Sequence, residues 1–181
     1  IIKIYFKMKK LILVLFSFIF ILKISYANTY SSDPEMFVSE LVNDAISKLS
    51  DKNLSEEAKT TFIENIALEN VDINALGLYT LGELRKSTDE NNLENYQKAF
   101  KKYFLKSLTS RLSDYSSNKF EIISAEKKSS NYTIVKSKIS ENINQPEIKI
   151  DWRIYTKNPQ KPLIRDLIVE GLSLARTQKE E

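Results

Sequence analysis

Ile148-Lys149-Ile150-Asp151-Trp152-Arg153-Ile154-Tyr155 alternates over its whole length. Ile148, Ile150, Trp152 and Ile154 face one way and Lys149, Asp151, Arg153 and Tyr155 the other, which is the period of a strand with one apolar face. Working outward, Phe120 to Glu126, Tyr132 to Ser140, Glu147 to Thr156 and Leu163 to Leu174 read as four strands joined by short polar links. Such links are too short for crossover helices, so the sheet is expected to be an antiparallel meander. The last strand lacks clean alternation. Asp166 and Glu170 share a face with Ile164, Ile168 and Leu172, whereas Arg165 shares the other with Leu167 and Val169. A strand mixed on both faces is expected to be covered on both, with Gly171 marking a bulge or bend.

Before Phe120 the apolar period is near 3.6. Asp33-Pro34-Glu35 supplies a cap, a proline at the first helical position and an acid in the first turn. Phe37, Val38, Leu41, Val42, Ala45, Ile46 and Leu49 follow at helical spacing. Ser55-Glu56-Glu57 opens a second helix. Asp72 caps a third, with Ile73, Leu76, Gly77, Thr80, Leu81 and Leu84 along one side. Thr88-Asp89-Glu90 opens a long fourth, whose face carries Leu93, Tyr96, Phe100, Tyr103, Phe104, Leu108, Leu112 and Tyr115. Helices followed by strands predict an α+β fold, with the N-terminal helices packed on a four-stranded antiparallel sheet. Gly77 and Gly82, read as lying on one helix, are expected to mark close helix–sheet approach. Arg176 to Glu181 reads as the first turn of a further helix, cut short in this sequence.

The N-terminus has a different logic. Lys7, Lys9 and Lys10 precede the apolar run Leu11 to Leu22, and Ser25-Tyr26-Ala27 ends it with small residues around a large one. This is the pattern of a cleavable secretory signal peptide over residues 1–27, with Ile1 to Lys7 upstream of a start at Met8. Lys23 ends the run well short of the roughly 20 apolar residues a spanning helix needs. Residues 28–181 are then expected to form one exported domain, in a periplasm given the absence of cysteine. The leader takes five lysines with it, leaving 22 basic against 24 acidic groups, a net charge of −2. Nucleic acid is not expected as a partner, because a basic patch is the footprint of such binding.

The 181 residues contain no histidine, no cysteine and only three glycines. Imidazole and thiolate catalysis, metal ligation by His or Cys, and glycine-rich phosphate loops are thereby excluded. Carboxylate chemistry, a Ser/Lys arrangement or no chemistry at all remains. Asp151, Asp166 and Glu170 could meet on neighbouring strands, but Asp166 and Glu170 are explained without chemistry if they accept backbone hydrogen bonds or form ion pairs, with Arg85, Arg111 or Arg153 as candidate partners. No enzyme activity and no cofactor are expected.

Two stretches carry a resemblance. Asn70 to Gly82, running into Arg85-Lys86-Ser87-Thr88 and Tyr96-x-x-x-Phe100-x-x-Tyr103, resembles the LG-x-x-x-K/R-x-[ST] helix pair of the MlaC (toluene-tolerance) family. Ile148 to Trp152, followed by Arg165 to Leu174, is similar to its closing strands, with their D-x-x-x-E-G-x-S signature. Pro162 stands where the family often has Trp, and Arg165 replaces an aromatic. The resemblance spans about Asp33 to Glu181. It implies a curved NTF2/cystatin-like sheet packed on helices, with a C-terminal helix that members continue beyond this length. It also implies a periplasmic phospholipid carrier, shuttling lipid between an outer-membrane lipoprotein–porin complex and an inner-membrane MCE-domain/ABC transporter complex. Leu76, Tyr79, Leu81, Phe100, Phe104, Leu108, Ile134, Ile150, Trp152, Ile154 and Val169 are the candidate lipid-binding residues. Each of these apolar side chains also fits an ordinary core. Two alternatives therefore stay open: a protein-binding periplasmic adaptor with a filled core, and a hopanoid-associated relative.

Overall fold

A computed structural model describes residues 30–112, 119–140 and 147–180. The leader reading, Tyr115, the Arg111 side chain and Glu181 lie outside the described residues. Each helix begins where a short polar side chain can take up free backbone N–H groups. Asp33 accepts from the N–H groups of Glu35 and Met36 at the start of α1 (Pro34–Ser50). Ser55 accepts from Ala58 N–H before α2 (Glu56–Asn70), and Asp72 from Ala75 N–H before α3 (Ile73–Leu81). Asp89 accepts from Asn92 N–H before α4 (Glu90–Leu112).

The strands are β1 (Lys119–Ser129), β2 (Tyr132–Ser140), β3 (Ile148–Tyr155), β4 (Leu163–Val169) and β5 (Leu172–Ser173), and α5 (Leu174–Glu180) follows. They pair antiparallel in sequence order. The meander expected from the short links is present, with a fifth strand added. The stretch Leu163 to Leu174 corrects the single strand expected there. Glu170 and Gly171 both have positive φ, 49° and 83°, and turn the chain between β4 and β5. A two-residue turn with both φ positive matches the twist of antiparallel strands, so Gly171 makes a hairpin turn.

Register assigns the two faces of the sheet. Val135 pairs with Trp152 and Thr133 with Ile154 on one face, while Tyr132 pairs with Tyr155 and Ile134 with Arg153 on the other. α1 covers the first face. Phe37, Val38, Leu41 and Val42 are buried there with Val135, Trp152, Ile154 and Ile164, and Ile66 of α2 packs at the edge. Trp152 Nε1–H donates to Ser137 Oγ at 2.8 Å, and Ser137 Oγ–H donates to the Ile150 carbonyl at 3.1 Å. The polar atoms of this core are thus satisfied, which removes the desolvation cost of burying them.

α3 lies on the far side of the sheet edge. Val71 bridges to Ile164, and Asp72 N–H donates to the Ile164 carbonyl at 2.9 Å. The chain thereby passes the free edge of β4, and α3 meets α5 near the second face. Gly82 is not within this helix. It caps α3 at φ 61°, ψ −133°, a backbone conformation suited to glycine. Leu84 falls in the following 3-10 turn (Gly82–Lys86) and is exposed. Gly77 marks a close helix–helix contact instead of the helix–sheet approach expected. A Cβ there would lie 2.9 Å from Phe100 Cδ1 on α4.

Candidate functional site

The second face of the sheet, α3 and α5 enclose a cavity of about 210 Å³. Ala75, Leu76 and Tyr79 line it from α3, Ala175 from α5, and Arg85 from the 3-10 turn. Tyr132, Arg153, Arg165 and Asp166 line it from the sheet. A wider hollow of about 540 Å³ runs along α2 past Ser55, Phe62 and Asn65. All of its lining comes from one helix and the cap before it, so it has no facing wall to enclose a ligand.

A bulge builds the sheet side of the cavity. Arg153 pairs with Asp166 and Ile154 with Ile164, so Arg165 is the extra residue on β4. Bulges re-aim side chains, and here Arg165 reaches Tyr132 on the second face. Its Nε–H donates to Asp72 Oδ2 and its NH1–H to Tyr132 Oη, both at 2.8 Å. Its guanidinium carbon lies 3.4 Å from the centre of the Tyr155 ring. Burial works against the Arg165 charge, but the hydrogen bonds to Tyr132 and Asp72 outweigh it and raise the pKa above its ordinary value. Asp72 thus caps α3 with one oxygen and fixes Arg165 with the other.

Asp166 is 3% exposed. It accepts from Ser173 Oγ–H at 2.6 Å and from Ala175 N–H at 3.0 Å, and Arg153 NH1 stands 3.8 Å away. Glu170 accepts from Lys149 N–H on the neighbouring strand β3. The D-x-x-x-E-G-x-S residues therefore have a mechanical role. Asp166 and Ser173 anchor the start of α5, and Glu170 with Gly171 forms the turn that delivers it. Of the three arginines suggested as partners for these acids, Arg153 faces Asp166, while Arg85 donates to the Leu78 carbonyl at 3.4 Å.

The eleven candidate residues fall into three groups. Leu76 and Tyr79 line the cavity, and Ile134 lies on the same sheet face, opposite Arg153. Leu81 of α3 and Phe100, Phe104 and Leu108 of α4 are half-buried in the helical layer, where Phe100 stacks between Tyr96 and Phe104. Ile150, Trp152, Ile154 and Val169 are on the face covered by α1, and Trp152 and Ile154 are buried in its core. The sequence reading missed Tyr132, Arg153 and Arg165 as cavity residues. The available signal was the broken alternation at Arg165-Asp166, which is how a bulge appears in a sequence.

The family described as MlaC protein matches residues 39–181 of this chain. No curated protein sequence matches it. Among solved structures, the chain is similar to the phospholipid-binding protein from Ralstonia solanacearum, determined in complex with a phospholipid. The two share 16% identity with a TM-score of 0.64, over 85% of this chain and 84% of the other. The helices and the open antiparallel sheet are thus those of a known fold.

Proposed function

This chain belongs to the MlaC family, and from that premise we propose that it binds a phospholipid and carries it through an aqueous space. The observation that carries the reading is a cavity walled by apolar side chains on α3 and α5 and by arginines on the sheet side. An amphiphile has those two halves. The phospholipid in the Ralstonia protein supports the same class of ligand. Each methylene hidden from water is worth about 0.8 kcal/mol, so a lipid crossing water needs a carrier that covers its chains. The cavity of about 210 Å³ is below the roughly 300–1,000 Å³ of typical ligand pockets. Acyl chains therefore enter by parting the half-buried layer of Leu81, Phe100, Phe104 and Leu108, beginning at Leu76 and Tyr79. Ile150, Trp152, Ile154 and Val169 serve the core.

In this reading the chain works in the periplasm after its leader is removed. It exchanges lipid with an outer-membrane lipoprotein–porin complex and an inner-membrane MCE-domain/ABC transporter. No helix among the described residues is long and apolar enough to cross a membrane. A carrier must leave both partners, so its interfaces are expected to be small and transient. The test is native mass spectrometry of the exported protein, followed by lipid extraction. About one phospholipid per chain supports the carrier. A protein that stays empty after incubation with phospholipid vesicles overturns it in favour of a filled-core adaptor.

A further inference from the structure

The charges around the cavity do not cancel. Arg165 is matched by Asp72 at 2.8 Å, and the buried Asp166 faces Arg153 at 3.8 Å. Arg85 has no carboxylate partner among the described residues, and its one hydrogen bond, to the Leu78 carbonyl, is long at 3.4 Å. Arg153 is held loosely, since Asp166 already accepts two shorter hydrogen bonds and the Arg153 side chain is about half exposed. The wall behind them is fixed by the bonds of Arg165 to Asp72 and Tyr132 and its stacking on Tyr155. Lys179 Nζ of α5 lies 5.4 Å from the centre of the Tyr79 ring and likewise has no carboxylate partner among the described residues.

Guanidinium groups with unused N–H donors at the mouth of a concavity suit an oxyanion that can accept two parallel hydrogen bonds. The volume, too small for a pair of acyl chains, suits a group the size of a phosphodiester. We propose that Arg85 and Arg153 bind the phosphodiester of the lipid at the rim of this cavity. Arg165 is the fixed wall behind it, and the acyl chains run towards α3 and α4. This deepens the carrier reading and rests on it.

The test compares phosphatidylglycerol, diacylglycerol with the same acyl chains, and sn-glycerol 3-phosphate, each offered to the wild type and to the variant R85Q/R153Q. The wild type is expected to bind phosphatidylglycerol at least about tenfold more tightly than diacylglycerol, the gain of one charge-assisted contact. The double variant is expected to lose that preference, binding the two lipids with equal affinity. Both side chains are exposed, so folding is expected to survive. Circular dichroism checks this, and the single variants R85Q and R153Q take over should the double variant unfold. Equal wild-type affinity for the two lipids, or a preference that survives the substitutions, overturns the proposal and leaves the carrier standing. Should neither lipid bind the wild type, the carrier reading itself fails, and glycerol 3-phosphate decides. Binding that the substitutions abolish keeps the anion site, as one for a free phosphate ester. No binding overturns it.

Discussion

The two faces of one sheet are put to opposite uses. The face under α1 is closed: Phe37, Val38, Val135 and Ile154 are at most 1% exposed, and the one indole there has its N–H satisfied by Ser137. The face under α3 and α5 is held apart by polar scaffolding. Asp72, Arg165 and Tyr132 brace one side, Asp166 and Ser173 brace the other, and a cavity remains between. Apolar side chains interdigitate and fill space, whereas a bulged strand and directed hydrogen bonds keep elements at fixed separations. A stable fold and an open site can therefore share the same four long strands.

The largest expected effect lies on the closed face. Phe37→Ala should destabilise the protein by about 3–5 kcal/mol, the range for truncating a buried aromatic, with little change in ligand affinity per folded molecule. Urea unfolding measures the first and binding to the folded fraction the second. On the bracing of the open face, Arg165→Met leaves Asp72 and Tyr132 without their partner. The side chain of Arg165 is about a quarter exposed, so the expected loss is about 1–3 kcal/mol, and ligand binding should fall with it. Loss of stability with unchanged binding would mean that the brace does not shape the site.

Sequence periodicity made much of this legible, and unevenly so. The closed face could be read because burial leaves a period: Ile148 to Ile154 alternate, and Phe37 to Leu49 repeat at helical spacing. The helix starts were legible because a cap needs a short polar side chain at one position. The open face was obscure because bulges and two-residue turns break periodicity. Arg165-Asp166 reads as a strand mixed on both faces until the register shows one extra residue, and Leu163 to Leu174 reads as one strand until Glu170 and Gly171 turn it. Which apolar residues border a cavity and which fill a core is not encoded in spacing, so Leu76 and Trp152 look alike in sequence.

Two smaller effects sharpen the comparison in the helical layer. Gly77→Ala gains about 1 kcal/mol of helix propensity but sets a methyl group 2.9 Å from the Phe100 ring. Overpacking costs about 1–3 kcal/mol, so a net loss of about 1 kcal/mol is expected. In a Phe100→Leu background the same substitution should become neutral or stabilising. The double-mutant cycle reads this directly, and additivity would deny that α3 and α4 meet there. The smallest effect is at the start of α4. Hydrogen bonds from the Asn92 backbone, then from its side chain, hold the Asp89 pKa below its ordinary 3.8. A lowered folded-state pKa contributes stability that is present above the unfolded value and lost as pH falls through the folded one. Asp89→Asn keeps a cap without the titration, so its melting temperature should fall less than that of the wild type between pH 5 and pH 2, by the order of a degree for one exposed cap.

The central claim is that the ligand occupies the open face and spares the closed one. Its most direct test is lipid occupancy, by native mass spectrometry, of Leu76→Trp beside Ile150→Ala, each against the wild type. The first fills the cavity wall and the second thins the face under α1. An empty or nearly empty Leu76→Trp and a loaded Ile150→Ala are expected. A loaded Leu76→Trp with an empty but folded Ile150→Ala would contradict the claim and place the lipid under α1.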